Sequence, residues 1–199
     1  PANIRYLTNG FSQVDANGQN YEDLTRRVAA AAELFGLTGE AQYRTYFDTY
    51  CNSAGIADGS YRPLSSNYFD AGSNLPIQLA LISYALTPGA TSSIVSATKT
   101  ALQNGVEWFH MANAESRSDP YNSFMWDGHY TWGSNMIKCI WGNILIWAWK
   151  LQVGPTPARN AQYLAQAEEY LHYIHGRNPL SWVYLTNMGT KGAKAGASK

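Results

Sequence analysis

Two stretches of this chain, residues 74–86 (NLPIQLALISYAL) and 134–151 (SNMIKCIWGNILIWAWKL), are apolar on almost every face of a helix. Each is followed by a stretch with only one apolar stripe. Residues 90–112 carry Ile94, Thr98, Ala101, Leu102 and Phe109 at helical spacing, and 158–175 carry Tyr163, Leu164, Ala167, Tyr170, Leu171 and Ile174. An all-round apolar helix has to be covered on every side, whereas a one-stripe helix keeps a face in water. Alternation between the two kinds predicts an inner and an outer layer of helices.

An Ala-rich helix over 22–36, ending at Gly36, and a second over 40–54 with Tyr43, Tyr46, Phe47, Tyr50 and Cys51 complete three hairpins. The expected fold is all-α, an (α/α) toroid of helical hairpins. Six hairpins close the usual (α/α)6 barrel, so residues 1–199 make about half of one. The rival is an open solenoid of helix pairs, which requires short loops. A polar connection of some 20 residues, 113–132, argues against it, because irregular segments of that length usually serve a site.

Composition narrows the function. Aromatic residues make up 14% of the chain and charged residues also 14%, against about 25% charged in ordinary domains. Net charge is zero and basic residues do not cluster, which speaks against a nucleic-acid partner. The longest apolar run, Ile144 to Trp149, is far below the roughly 20 residues of a membrane span. No charged-then-apolar leader follows Pro1, so a signal peptide is expected to have been removed or to precede this stretch. Cys51 and Cys139 read as two buried small apolar side chains rather than a bridge.

The loops ahead of the apolar helices hold Tyr68, Phe69 and Asp70, then Asp119, Tyr121, Trp126, Asp127, His129, Tyr130 and Trp132. Aromatic planes stack on the apolar faces of pyranose rings while carboxylates hydrogen-bond the hydroxyls. That mixture reads as a sugar cleft, or equally as aromatic packing on the core.

Three motifs are more specific. Ala30-Ala31-Ala32-Glu33-Leu34-Phe35 with Thr38-Gly39-Glu40 and Tyr43 comes first. Tyr130-Thr131-Trp132-Gly133-Ser134-Asn135 opens the last apolar helix, and Tyr173-Ile174-His175-Gly176-Arg177-Asn178-Pro179 closes the one after it, leading into Ser181-Trp182-Val183. In this order they resemble glycoside hydrolase family 9, the inverting cellulases, over about residues 22–189. Read by themselves, Gly176 suits a left-handed helix end and Pro179 a stop. Gly133 frees a tight turn, and Ser134 or Asn135 can cap the helix that follows.

The resemblance implies a secreted endo-β-1,4-glucanase-type enzyme acting on cellulose or related β-glucans. It also implies that Trp132 stacks on a glucosyl unit; Tyr130, Asp127 and Trp126 of the same aromatic loop are expected as further substrate-binding residues from the sugar-cleft reading. The family's catalytic Asp-Ala-Gly-Asp motif, its later Arg-bearing motif and its proton-donating Glu have no match here. Asp70-Ala71-Gly72-Ser73 lies on the wrong side of the Ala-rich helix and has Ser73 for the second Asp. Met136 and Ile137 stand where some cellulases place an Arg and a Tyr. No catalytic residue is therefore assigned, and the partner expected besides a β-1,4-glucan oligosaccharide is the remainder of the catalytic domain. Two alternatives stay open: a non-catalytic carbohydrate-binding or scaffold protein, and a complete small glycosidase using Asp70 and Asp127.

No cofactor is required and no metal residue is assigned. Family members often hold a structural calcium near the Ala-rich helix, and Asp15, Asn17, Asn20, Glu22 and Asp23 offer oxygens there, so a structural calcium is compatible with the chain. The acidic residues are nevertheless offset from the family's positions, where Thr25 and Arg26 stand, and Asn-Gly is first of all a turn signal. His172 and His175 lie one helical turn apart without a third ligand and read as surface residues.

Overall fold

The computed structural model describes residues 21–53, 63–64, 69 and 75–185. Among them the regular structure is helical, and the chain divides into two compact units, residues 1–104 and 105–199.

In the first unit α1 (Tyr21–Thr38) packs against both α2 (Ala41–Tyr50) and α3 (Leu75–Leu86). The stripe Leu24, Val28, Ala32 and Phe35 explains α1: residues three and four apart share one face, and all four are buried. Against it stand Ile77, Leu81 and Tyr84 of α3 and Phe47 of α2, with Phe47 stacked on Tyr84 at 4.1 Å and Phe35 tilted onto the same ring at 5.7 Å. Burying side chains of this size stabilises by roughly 1.5–3 kcal/mol each. The Tyr84 hydroxyl is not stranded in this core: it donates to Asp48 at 2.5 Å and accepts from the Thr91 amide at 3.1 Å. Burial and that carboxylate together push its pKa up. The expected pairing of 74–86 with 90–112 is thus secondary, since α3 lies chiefly along α1. Of the first aromatic loop, Phe69 is fully buried, a core residue rather than a ligand contact. Tyr68 and Asp70 lie outside the described residues, as do Asp15 to Asn20.

The stretch 90–112, expected as one helix, is α4 (Ser92–Gly105) running into a π-helical segment, Val106–Met111, and then α5 (Ala112–Ser116). The one-residue-wider turn changes which side chains face inward, and Val106, Phe109, His110 and Met111 are all buried.

The second unit rests on the hairpin α6 (Ser134–Lys150) and α7 (Pro157–Ile174). Thr156 caps α7 by accepting from the Arg159 amide at 3.1 Å, with Pro157 in the first turn, where its missing N–H costs nothing. Gly142 lets the helices approach closely, since a Cβ there would meet the Tyr170 Cβ at 3.3 Å.

Residues 134–151 were expected to be buried on nearly every side, and they are not. Trp141, Ile144, Leu145 and Ala148 are covered, but Met136, Cys139, Ile146 and Trp149 are exposed along the opposite stripe. Part of that stripe borders an apolar groove of about 330 Å³ with Leu164 and Leu171. The physical reason is simple: α7 covers one face of α6, and apolar composition cannot supply a cover for the other. Cys51 is buried and burial lifts its thiol to about 11, while Cys139 is exposed, contrary to the reading of both as buried. Both are free thiols.

Candidate functional site

The site is built on the loop from Arg117 to Gly133, whose backbone has no strand partner. Asp119 organises its start. Its two carboxylate oxygens accept from the amides of Tyr121 and Ser123, each at 2.9 Å, and its carbonyl accepts from Asn122 at 3.0 Å. Asn122 takes a left-handed φ of 53°, which asparagine tolerates better than most residues.

Four consecutive carbonyls then point at the α6–α7 hairpin, and each is met by a side chain. Arg177 donates to Tyr121 at 3.3 Å, Gln166 to Asn122 at 2.7 Å, the Lys138 ammonium to Ser123, and the Tyr170 hydroxyl to Phe124 at 2.8 Å. Backbone acceptors taken out of water must be satisfied somewhere, and here side chains do what a neighbouring strand would otherwise do.

Lys138 is the member that sequence reading missed. It sits in α6 with 1% of its surface exposed, donating also to the Ser123 hydroxyl at 3.2 Å. Its ammonium lies 4.1 Å from the Tyr173 ring centroid, 5.3 Å from Tyr130 and 5.9 Å from Tyr170, cation–π distances on three rings. Burial lowers its pKa to about 8, against a smaller opposing pull from Asp119. A lysine inside an otherwise apolar helix was a visible signal, but its partners were not.

Beneath the loop Trp141 is buried, with Phe109, His110, His129 and Tyr170 all presenting edges to it at 5.0, 5.3, 5.6 and 6.4 Å. Above this floor stand the four residues singled out from sequence. Trp126 is only partly exposed. It packs on Phe109 and Phe124, and the Arg117 guanidinium lies 4.9 Å from its ring, so part of its role is to anchor the loop. Asp127 opens a 3-10 turn, Asp127–His129, with its side chain exposed, and Tyr130 closes that turn by donating its amide to the Asp127 carbonyl at 3.1 Å. Tyr130 is 52% exposed and its hydroxyl's pKa is raised by burial, then by Asp119 and Asp127. Trp132 is 87% exposed, so its ring is not sealed in the core.

Gly133 follows with φ of 84° and is itself the N-cap of α6. Capping by Ser134 or Asn135 was expected, but no side-chain cap bond forms; the Gly133 carbonyl takes the Met136 amide at 2.9 Å instead. Where α7 ends, Gly176 has φ of 112°. The Arg177 amide bonds the His172 carbonyl at 2.9 Å and the Gly176 amide bonds Tyr173 at 3.3 Å, the pair of reverse bonds of a Schellman end. Buried Asn178 secures the segment beyond: its amide donates to the carbonyls of Tyr173 and Trp182, both at 2.8 Å, and its oxygen accepts from Leu180 and Trp182. Arg177, which also pairs with Glu169, ties this helix end to the loop.

Asp70, the partner of Asp127 in the two-carboxylate reading, lies outside the described residues. Asp23, one of the oxygens considered for calcium, is paired with Arg27 at 2.8 Å. His172 is exposed beside Glu169 at 3.7 Å and His175 is also exposed, as read.

The model of a family described as glycosyl hydrolase family 9 matches residues 4–196. Among solved structures the chain is similar to a metagenome-derived glycoside hydrolase family 9 endoglucanase, with a TM-score of 0.64 and 22% identity over 95% of this chain and 33% of that one. The chain thus spans about a third of that protein's length. The likeness carries the fold: this chain is all-α, built from helical hairpins in the class expected of an (α/α) toroid. No curated protein matches.

Proposed function

We propose that this chain, which belongs to glycosyl hydrolase family 9, supplies part of the glucan-binding surface of a secreted endo-β-1,4-glucanase. In this reading Trp132 is the stacking platform, Tyr130 and Trp126 extend it, and Asp127 hydrogen-bonds sugar hydroxyls. The observation that carries the reading is the near-complete exposure of Trp132 at the end of a loop whose beginning, from Tyr121 to Phe124, is pinned by side chains of the hairpin and whose end turns through backbone bonds. A flat ring left in water on a rigid mount is positioned for a pyranose face, and a rigid mount limits the entropy lost on binding.

The acid and base come from elsewhere in the parent enzyme. Inverting hydrolysis needs a protonated carboxyl at the leaving oxygen and a carboxylate activating water across the ring, roughly 6.5–9.5 Å apart, and no stretch of this chain matches the family motifs that hold them. Water is the only co-reactant and no cofactor enters. The exposed apolar stripe of α6 suits a second partner, the rest of the same catalytic domain.

The test is a titration of the chain with cellohexaose, followed by tryptophan fluorescence, beside an assay for reducing sugar. Binding that depends on Trp132, without sugar release, is expected. Sugar release by this chain that is lost in Asp127→Ala would overturn the division of labour, and absence of binding would overturn the glucan surface.

A further inference from the structure

Lys138 touches the site loop at two places that are far apart along it. On one side its ammonium holds the Ser123 carbonyl and hydroxyl, at the pinned beginning of the aromatic stretch. On the other it lies 5.3 Å from the ring of Tyr130, two residues before Trp132. Arg177, Gln166 and Tyr170 meet only the beginning, at Tyr121, Asn122 and Phe124. Between the two ends the chain passes through Trp126, Asp127 and the 3-10 turn, where the His129 amide bonds the Trp126 carbonyl and the Tyr130 amide bonds the Asp127 carbonyl. Taking an ammonium out of water is costly, and an apolar side chain of similar length would fill the space. Two donated hydrogen bonds and an electrostatic attraction to three rings are what lysine adds there.

We propose that Lys138 is a positioning residue for glucan recognition: by linking Ser123 to Tyr130 it sets the spacing and tilt of the aromatic surface from Trp126 to Trp132. Lys138 does not touch the sugar. It closes the loop into a fixed arc, so the exposed rings are presented in one arrangement. This inference rests on the glucan reading above.

The experiment compares the full chain with Lys138→Met, which keeps the length of the side chain, and Lys138→Arg, which keeps the charge. Amide exchange followed by mass spectrometry reads the loop, melting temperature reads the fold, and cellohexaose titration reads the function. In Lys138→Met, exchange across 121–130 is expected to accelerate while α6 and α7 keep their protection. Cellohexaose should bind about tenfold more weakly, the size of one lost hydrogen bond to a charged group. Lys138→Arg should recover part of both. Unchanged loop exchange, or a loss of affinity matched by faster exchange throughout α6 and α7, overturns the proposal. A wild-type chain that does not bind cellohexaose overturns the glucan reading itself, whereas equal binding by wild type and Lys138→Met overturns only the role given to Lys138.

Discussion

The hydroxyl of Tyr170 donates to the carbonyl oxygen of Phe124 at 2.8 Å, joining the C-terminal part of α7 to the site loop across 46 residues of sequence. The ring is buried and burial raises its pKa well above the ordinary tyrosine value, so the hydroxyl stays protonated as a donor. Tyr170→Phe keeps the ring that edges onto Trp141 and removes only this bond, leaving the Phe124 carbonyl without its donor. The cost should be about 1–2 kcal/mol. A shift of the urea midpoint at constant slope would measure it, and a change within experimental error would mean that water replaces the hydroxyl.

Asn178 makes a larger demand. Its one carboxamide satisfies two carbonyls and two amides in the segment from Tyr173 to Trp182. Asn178→Asp keeps the acceptor but replaces the amide donor with oxygen, facing the carbonyls of Tyr173 and Trp182. We expect a loss of about 2–3 kcal/mol for either Asn178→Asp or Asn178→Ala, seen as a lower melting temperature. Near-wild-type stability of the Asp variant would show that those carbonyls do not depend on the amide.

The contrast between these residues and the helices shows where sequence reading stops. Gly176 and Pro179 announce the end of α7 because one residue must turn left-handed and the other cannot continue, both local facts. The stripe of α7 was legible for the same reason: periodicity is a property of neighbours in sequence. Lys138 and Tyr170 were not legible as loop anchors, because their meaning lies in carbonyls 15 and 46 residues away. Nor was the π-helical segment, whose wider turn leaves no composition signal in VEWFHM. The all-round burial expected of α6 failed in another way. Apolar faces state what a helix needs covered, not what covers it.

Arg159 grips Glu107 through two bonds, at 2.8 and 2.6 Å, and also pairs with Glu115, while the Tyr163 hydroxyl donates to Glu107. The guanidinium bonds first, and the tyrosine bond after them, hold the Glu107 carboxyl below its ordinary 4.5 against the pull of burial. A carboxyl lowered in the folded state contributes stability that is complete above its unfolded pKa and is lost as pH falls through the folded one. The stability gap between wild type and Glu107→Gln should therefore be level above about pH 5.5 and close steadily below about pH 4.5. Chemical denaturation at a series of pH values would show it; a gap that persists to low pH would contradict the assignment.

Lys138 shifts in the same direction for a different reason, burial disfavouring its charged form. Its pKa falls from an ordinary 10.5 unfolded to about 8 folded, so between those values the unfolded chain binds the extra proton and stability rises with pH. The groups facing the ammonium are Asp119 from the loop and Tyr130, Tyr170 and Tyr173, whose raised pKa values keep them neutral through this window. Relative to Lys138→Met, wild type should gain stability from about pH 7.5 to pH 9.5. Over the same range it should lose affinity for cellohexaose, because the neutral amine no longer attracts the tyrosine faces. Stability and affinity moving in the same direction would exclude this account.

The last prediction concerns Trp132, whose ring is 87% exposed and so gives up little packing when removed. Trp132→Ala should change stability by no more than about 0.5 kcal/mol, as for other surface positions. If the ring is the sugar platform, affinity for cello-oligosaccharides should fall by about 1–3 kcal/mol, by analogy with aromatic stacking on a nucleic-acid base. Trp126→Ala should behave differently, because that ring is wedged among Phe109, Phe124 and Arg117. Its loss should lower the melting temperature as well as the affinity. Measuring both quantities on both variants separates platform from anchor: a Trp132→Ala chain that melts early, or binds cellohexaose as wild type does, would remove Trp132 from the binding surface.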